Sequence, residues 1–408
     1  MPRRTKAVAK RIKNLVQSAK NRVEPYVVNT VEFVLSVLLS GAIFCQSEFQ
    51  FMLNNIKVPS EATFHRVQEK VGRVIIEVAR ESVNYWKSRM RKCSGLLFDG
   101  SWSQRRNATF CYVQFVEEKL KKIVDWEVIS KSFKNFKGNF NGKSNEMEFE
   151  GLKRMLKRWN NEKRVNFFVH DGDVKIVSTI KNTFKGIREY RDPGHFLNNI
   201  QKKLKLPEFR ILSSISKNLL RWLRQLLNDT HMSIKTKKFL WLNSAKHYAG
   251  NHKFCPDPEK CKMIKPWKYA KNKTAIKTLK KFLEDTVKIF DMVKKIHSTQ
   301  VVESINHIKA MLANKNINWH ASWPIRMAVT ILHFNESMFE TIVAIRYRLN
   351  LPTMPEMMNR YFRMYDTTKD LIKAFKNSKQ VQKKFAALRA IKRGLQATDD
   401  RITLKSHK

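Results

Sequence analysis

The sequence is short of acidic residues. Aspartate and glutamate together number 35 against 80 lysines and arginines, which leaves a formal net charge of +45 over 408 residues. The excess runs through the whole chain. A folded protein with that much self-repulsion calls for a polyanion to offset it, and nucleic acid is the usual one. An anionic membrane surface would serve the same end, and an AT-rich coding sequence would inflate lysine, but composition bias gives no reason for the acids to lag. Cysteine is scarce as well: five residues, an odd number spread along the chain, do not suggest a secreted disulfide framework. Long apolar runs are missing. The longest, Phe33 to Cys45, is too short to span a bilayer and too far from the start for a simple signal peptide. There is no internal repeat and no low-complexity segment beyond lysine enrichment. These absences lead to the expectation of a soluble, reducing-compartment protein with no membrane partner.

What is present suffices for real cores. Hydrophobic residues make up 42% of the chain, with 26 Phe, 9 Trp and 9 Tyr, and the length suits two or three packed units at roughly 150 residues each. The stretch from Met1 to Arg22 is rich in Lys and Arg and holds no acid, with Arg3, Arg4 and Lys6 clustered at the start. A nuclear import signal, a DNA-contacting arm and a mitochondrial presequence all fit that pattern. The charge of the remaining chain favours the first two together, and the nucleus as the location.

After a basic arm (1–24) comes an N-terminal helical region (25–93). Pro25 to Ile56 reads as two apolar helices broken near Gly41. Val58-Pro59-Ser60 then starts a helix, with a Ser N-cap and Glu61 in the first turn. This helix runs to about Trp86 and puts Phe64, Val67, Val71, Ile75 and Val78 on one face. The set fits a helix-turn-helix or a plain helical bundle.

At Ser94 the period changes. Gly95 to Asp99, Asn107 to Glu117 and Lys122 to Ser132 read as a three-stranded meander. Glu146 to Trp159 is an amphipathic helix, Val165 to Val169 a short buried strand, and Val174 to Phe184 a helix. A strand near Ile187 to Arg191 and a helix from about Pro193 follow. Three strands, helix, strand, helix, strand, helix is the order of the ribonuclease H-like fold. The expected class is therefore α/β with a mixed sheet: a ribonuclease H-like core (94–206 and 292–349), interrupted by a helical insertion (207–291) and followed by a basic helical tail (350–408). Val301 to Leu312 and Ala328 to Leu349 read as helices of the second part.

Three acids stand out. Asp99 and Asp171 each follow an apolar strand directly, where a carboxylate is costly unless a cation or hydrogen bonds compensate it. Glu303 lies on a later helix, well beyond both in sequence. Acidic oxygens that bridge two divalent ions about 3.5–4 Å apart are what phosphodiester chemistry needs. A strand-end Asp alone is more often a turn or cap residue. Asp173 is the rival to Asp171; the position directly after the strand favours Asp171, and Asp173 suits a cap for the next helix.

A second cluster is His247-x4-His252-x2-Cys255-x5-Cys261, in a loop punctuated by Gly250, Pro256 and Pro258. Two imidazoles and two thiolates in so short a loop match a closed structural Zn²⁺ site, although the spacing is not that of a standard finger. Basic segments carrying exposed aromatics form a third group: Lys202-Lys203-Leu204-Lys205, Arg221-Trp222-Leu223-Arg224, Trp267-Lys268-Tyr269 and Lys271 to Lys281. Lys202, Lys203, Lys205, Arg221, Arg224 and Lys268 suit phosphate contacts, while Trp222 suits the core. His195, with Asp192 three before it, reads as a structural pair at a helix start.

Taken in order, these residues resemble a known family. Phe98-Asp99-Gly100-Ser101-Trp102 looks like the Asp-Gly-Ser/Thr-Trp strand of Mutator-like and Kolobok-like transposases, and His170-Asp171-Gly172-Asp173 resembles their second acid motif. Asp192-Pro193-Gly194-His195 is similar to the Cys/Asp-x-x-His signature, Val302-Glu303-Ser304-Ile305-Asn306 to the segment bearing the third acid, and His333-Phe334-Asn335-Glu336 to its downstream companion. His247, Gly250, His252 and Cys255 loosely fit the family's His-x-Gly-x-His-x-x-Cys segment. The likeness spans about residues 40 to 345. It implies DNA strand cleavage and strand transfer with Mg²⁺ or Mn²⁺ held by Asp99, Asp171 and Glu303, and double-stranded DNA as partner. It further implies a homo-oligomer on DNA, and Asp192 and His195 near the active site, ordering the second acid or contacting DNA. In departure from the family, no separate zinc-finger or THAP-like module is recognisable. A transposase-derived DNA-binding protein without catalysis and a ribonuclease H-like nuclease acting on RNA are the competing readings.

Overall fold

A computed structural model describes residues 26–381, apart from 28, 93, 134–135, 160–163, 172–173, 185, 230, 257–258, 260, 262–266, 294–299, 318, 320–321 and 379–380. The basic arm and Asp173 lie outside the described residues. Two packed units are present, one ending at Asn335 and one beginning at Glu336. Among the described residues no single helix is long and apolar enough to cross a membrane.

Strands β1 (Tyr26–Val27) and β2 (Ile56–Lys57) pair in parallel. The main sheet has β3 (Ser94–Trp102), β4 (Phe110–Glu117), β5 (Lys122–Ser130), β6 (Val165–His170) and β7 (Arg188–Arg191), in the order β5-β4-β3-β6-β7. The first three are antiparallel neighbours, and β6 and β7 run parallel to β3. The chain is thus α/β with a five-stranded mixed sheet.

Every residue of β4 is buried, as suits a strand covered on both faces. Side-chain alternation sorts the two layers. Leu96 and Phe98 of β3 and Cys111, Val113 and Phe115 of β4 pack with Leu152, Met155, Leu156 and Trp159 of the Met147–Trp159 helix. On the opposite face Phe110 stacks on Trp323, ring centroids 6.2 Å apart, and Asp99 belongs to this face because it pairs with Gln114. The covering elements are the Glu61–Ser88 and Trp323–Asn335 helices. They approach so closely that a Cβ at Gly72 would lie 2.2 Å from Ile325 Cδ1. Ser60 caps the longer one, accepting from Thr63 N.

The outer edge of β5 is closed by a side chain. Asn335 Oδ1 accepts from Ile123 N (2.9 Å) and its Nδ2 donates to Ile123 O (2.9 Å), so one amide stands in for a strand partner. The Gln300–Leu312 helix is fixed at its C-terminal end in a comparable way. Arg326, 2% exposed, donates to Leu312 O and Ala42 O at 2.6 Å each and lies 3.7 Å over the Trp319 ring. Gly41, with φ +77°, comes so near that a Cβ would meet Leu312 Cα and Met311 O at 3.0 Å.

Residues from Ile200 to Val293 build a second core, with Phe209, Trp241 and Phe282 fully buried within it. Its helices include Ser216–Asn228, Ile234–Tyr248 and Lys273–Thr286. The helix expected over Ala328 to Leu349 is two: Trp323–Asn335, which belongs to the first unit, and Met338–Arg348, which belongs to the second. The cause is local: Ser337 accepts from Glu340 N while Glu340 accepts from Ser337 N, a reciprocal cap that starts a new helix. Within the second unit, Asp366 of the Glu356–Asn377 helix accepts from Met338 N and Phe339 N at 2.9 Å.

Gly41 combines a left-handed backbone with a neighbouring main chain that cannot yield. Gly41→Ala is expected to lower the unfolding free energy by at least about 1–2 kcal/mol in urea titration. A neutral or stabilising result would refute the close approach.

Candidate active site

The register of the parallel strands builds the site. Leu96 pairs with Phe168 and Leu97 with Val169; two residues further on stand Asp99, still within β3, and Asp171, one residue past the end of β6, whose charge acts on Asp99. Asp171 is exposed at the end of β6 and Asp99 is half-buried. Asp99 Oδ1 accepts from Gly100 N (2.9 Å) and Oδ2 from Asn306 Nδ2 (2.7 Å). Burial, with the like charge of Asp171, pushes the Asp99 carboxyl up to about 6, while those two hydrogen bonds and His195 pull it back.

The pairing of Asp192 with His195 takes the form of a cap. Asp192 Oδ1 accepts from Gly194 N and His195 N and so starts the Pro193–Lys203 helix. Asp192 N donates to His170 O at 3.0 Å, which ties that helix start to the end of β6. His195 is exposed, and its charge acts on Asp99.

A buried acid on the opposite face of the sheet serves as a comparison. Asp125, 8% exposed, is satisfied by Arg158 (2.9 Å), the Trp159 indole (2.7 Å) and Trp126 N (2.8 Å). Asp99 receives only neutral donors, and among the described residues no lysine or arginine forms an ion pair with it. A carboxylate held this way beside another acid can accept an external cation.

Glu303 sits exposed in the first turn of the Gln300–Leu312 helix, three residues before Asn306. It is therefore one turn from the residue that holds Asp99. Val302, Ile305 and Lys309 form the buried face of that helix. Lys309 carries no signal in the sequence, where it is one lysine among many: it is 1% exposed and its Nζ has no hydrogen-bond partner among the described residues. Asn306 stands in the sequence only as part of a motif, although its i+3 spacing from Glu303 puts the two on adjacent turns.

In the second core His247, His252, Cys255 and Cys261 converge, with one ligand atom from each within 4.8 Å of all the others. His247 Nδ1 is 3.4 Å from Cys255 Sγ and 3.2 Å from Cys261 Sγ. Tetrahedral Zn²⁺ with bonds of about 2.0–2.3 Å separates its ligands by roughly 3.3–3.8 Å. Burial and then Cys261 push the Cys255 thiol up to about 12, and burial with His252 lowers His247. A divalent ion would relieve this crowding, so the donor set fits one.

Of the basic residues, Lys202, Lys205, Arg221, Arg224 and Lys268 are exposed, whereas Lys203 is engaged with Asp285 at 2.8 Å. Trp222 packs partly buried against the second core, as expected, but the other aromatics of these segments are not exposed: Trp267 is 8% exposed and donates to Ser214 Oγ, and Tyr269 is partly buried against the same core. Rings that complete a small helical core gain more from burial than from waiting for a base.

A family model described as Mutator-like transposase matches residues 8–261, a span that holds Asp99, Asp171, His195 and the His/Cys cluster but not Glu303. No curated protein sequence matches significantly.

Lys309 yields a prediction. Burial first, and Lys315 second, pull its ammonium down from 10.5 to about 8, against the opposing pull of Cys111 and Asp99. Between pH 8 and 10.5 the unfolded chain therefore binds more protons than the folded one, and stability rises with pH. Lys309→Met is expected to be more stable than wild type at pH 7 by up to about 3 kcal/mol, with the gap closing towards pH 10.5. Urea unfolding at both ends of that range measures it; a missing or pH-independent gap would sink the account.

Proposed function

Because the chain belongs to the Mutator-like transposase family, we propose that it cleaves and joins DNA strands with two Mg²⁺ or Mn²⁺ ions held by Asp99, Asp171 and Glu303. The observation that carries this reading is the contrast between Asp125, neutralised by arginine, and Asp99, left with neutral donors opposite Asp171. The strand order β5-β4-β3-β6-β7 supports a ribonuclease H-like core.

Bound divalent ions would activate the attacking oxygen and stabilise the leaving one. The chain's own residues do the rest. Gly100 N–H and the Asn306 amide orient the Asp99 carboxylate. Asp171 supplies a second carboxylate from the neighbouring strand, and Glu303 a third from the helix one turn before Asn306. His195, at its capped helix start, would order the second acid or contact the DNA backbone. Exposed Lys202, Lys205, Arg221, Arg224 and Lys268 would neutralise backbone phosphates. The same reading has the protein act in the nucleus, on double-stranded DNA and as a homo-oligomer. His247, His252, Cys255 and Cys261 would hold a structural Zn²⁺, with all four positions closed by protein.

Asp99→Asn, Asp171→Asn and Glu303→Gln are each expected to abolish Mg²⁺- or Mn²⁺-dependent cleavage while leaving DNA affinity nearly unchanged, because the phosphate contacts lie elsewhere. Cleavage of labelled duplex together with a binding titration tests this; full activity in any of the three removes that residue from the mechanism. Metal analysis of purified protein is expected to find about one zinc per chain, lost in Cys255→Ser Cys261→Ser. Zinc retained by the double variant would place the ion at another site.

A further inference from the structure

Asn306 makes the one side-chain hydrogen bond to Asp99 among the described residues, and it does so across 207 positions of sequence. We propose that Asn306 is a positioning residue, whose amide fixes the Asp99 carboxylate and sets the register of Glu303 against it. The inference rests on the reading of Asp99 and Glu303 as metal-holding acids.

Two requirements meet at this contact. A carboxylate that binds cations must keep lone pairs open yet be held still. The 2.7 Å bond from Asn306 Nδ2 takes one lone pair of Oδ2, and the 2.9 Å bond from Gly100 N–H takes one of Oδ1. Each oxygen keeps another lone pair for a cation. Rotational freedom is thus lost before the cation arrives, which lowers the cost of binding. A lysine or arginine at 306 would hold the carboxylate as firmly but would occupy the site with charge; a neutral amide does not.

The second requirement concerns the helix. Val302, Ile305 and the Lys309 stem seat it through apolar contact, which is non-directional and tolerates sliding. A slip of one residue moves a helix by about 1.5 Å and turns it by roughly 100°, enough to carry Glu303 away from the acids. A short bond to a fixed strand atom removes that freedom, three residues from Glu303. Arg326 pins the far end of the same helix through Leu312 O.

The test uses the full chain. Asn306→Leu keeps the branched shape and loses the donor; Asn306→Ser, too short to reach Asp99, is run beside it in case the first does not fold. Mn²⁺ binding by electron paramagnetic resonance is expected to weaken at least tenfold in both, with duplex DNA affinity within twofold of wild type. In an Asp99→Ala background, removal of the Asn306 amide is expected to cause no further fall in thermal midpoint, since its partner is gone. Mn²⁺ affinity within twofold of wild type, or an equal fall in midpoint with and without Asp99, would overturn the proposal and leave Asn306 a packing residue. Asp99→Ala that binds Mn²⁺ like wild type would instead overturn the metal reading itself, and the proposal with it.

Discussion

The pairing of β3 with two unlike neighbours is the constraint on which the rest depends. Hydrogen-bonded to β4 on one side and to the parallel β6 on the other, β3 has its register fixed from both edges. A one-residue slip would turn Asp99 into the layer of Phe98 and Leu96, at the cost of burying an acid among aromatic rings. The parallel partner matters most. Because β6 runs the same way as β3, Asp171, one residue past the end of β6, comes alongside Asp99 within β3 closely enough for its charge to act there. The cap of Asp192 and its bond to His170 O then tie the helix start that bears His195 to the end of β6.

Charge is handled differently on the two faces. Where Arg158 meets Asp125 and Glu127, at 2.9 and 2.6 Å, the acids are neutralised by the protein's own arginine. At Asp99 the donors are neutral, and burial with the like charge of Asp171 raises the carboxyl. Lys309 is a parallel case on the same helix as Glu303: an ammonium in the core without a hydrogen bond among the described residues. Destabilising polar groups of this kind gather where function outweighs stability.

Much of this was legible in the residues. The strands of the sheet, the Glu61–Ser88 helix and the turn at Gly41 follow from alternation, a Ser cap and a glycine, and the acids at positions 99 and 171 were visible because each follows an apolar run directly. Other features were not. The break at Ser337 is hidden because the apolar period continues through it, and only the reciprocal bond with Glu340 ends one helix and begins another. The burial of Trp267 was obscured by the lysines around it; neighbours in sequence report the solvent side of a small core and not its inside. The bond from Asn306 to Asp99 has no periodicity at all. It joins a polar residue to an acid 207 positions away, and only the packed helix shows which polar residue faces inward.

The second core has a consequence for how the molecule assembles. It occupies the chain between Asp171 and the helix bearing Glu303, so Glu303 leaves the ribosome long after Asp171. Closing a floppy loop of that length costs entropy that grows with the logarithm of its length, but a loop that has folded brings its two ends together in advance. Ile200 and Val293, near the two ends, belong to one buried cluster. The intervening helices therefore bring the segment after β7 close to the segment before the Gln300–Leu312 helix, whatever the length of chain between them.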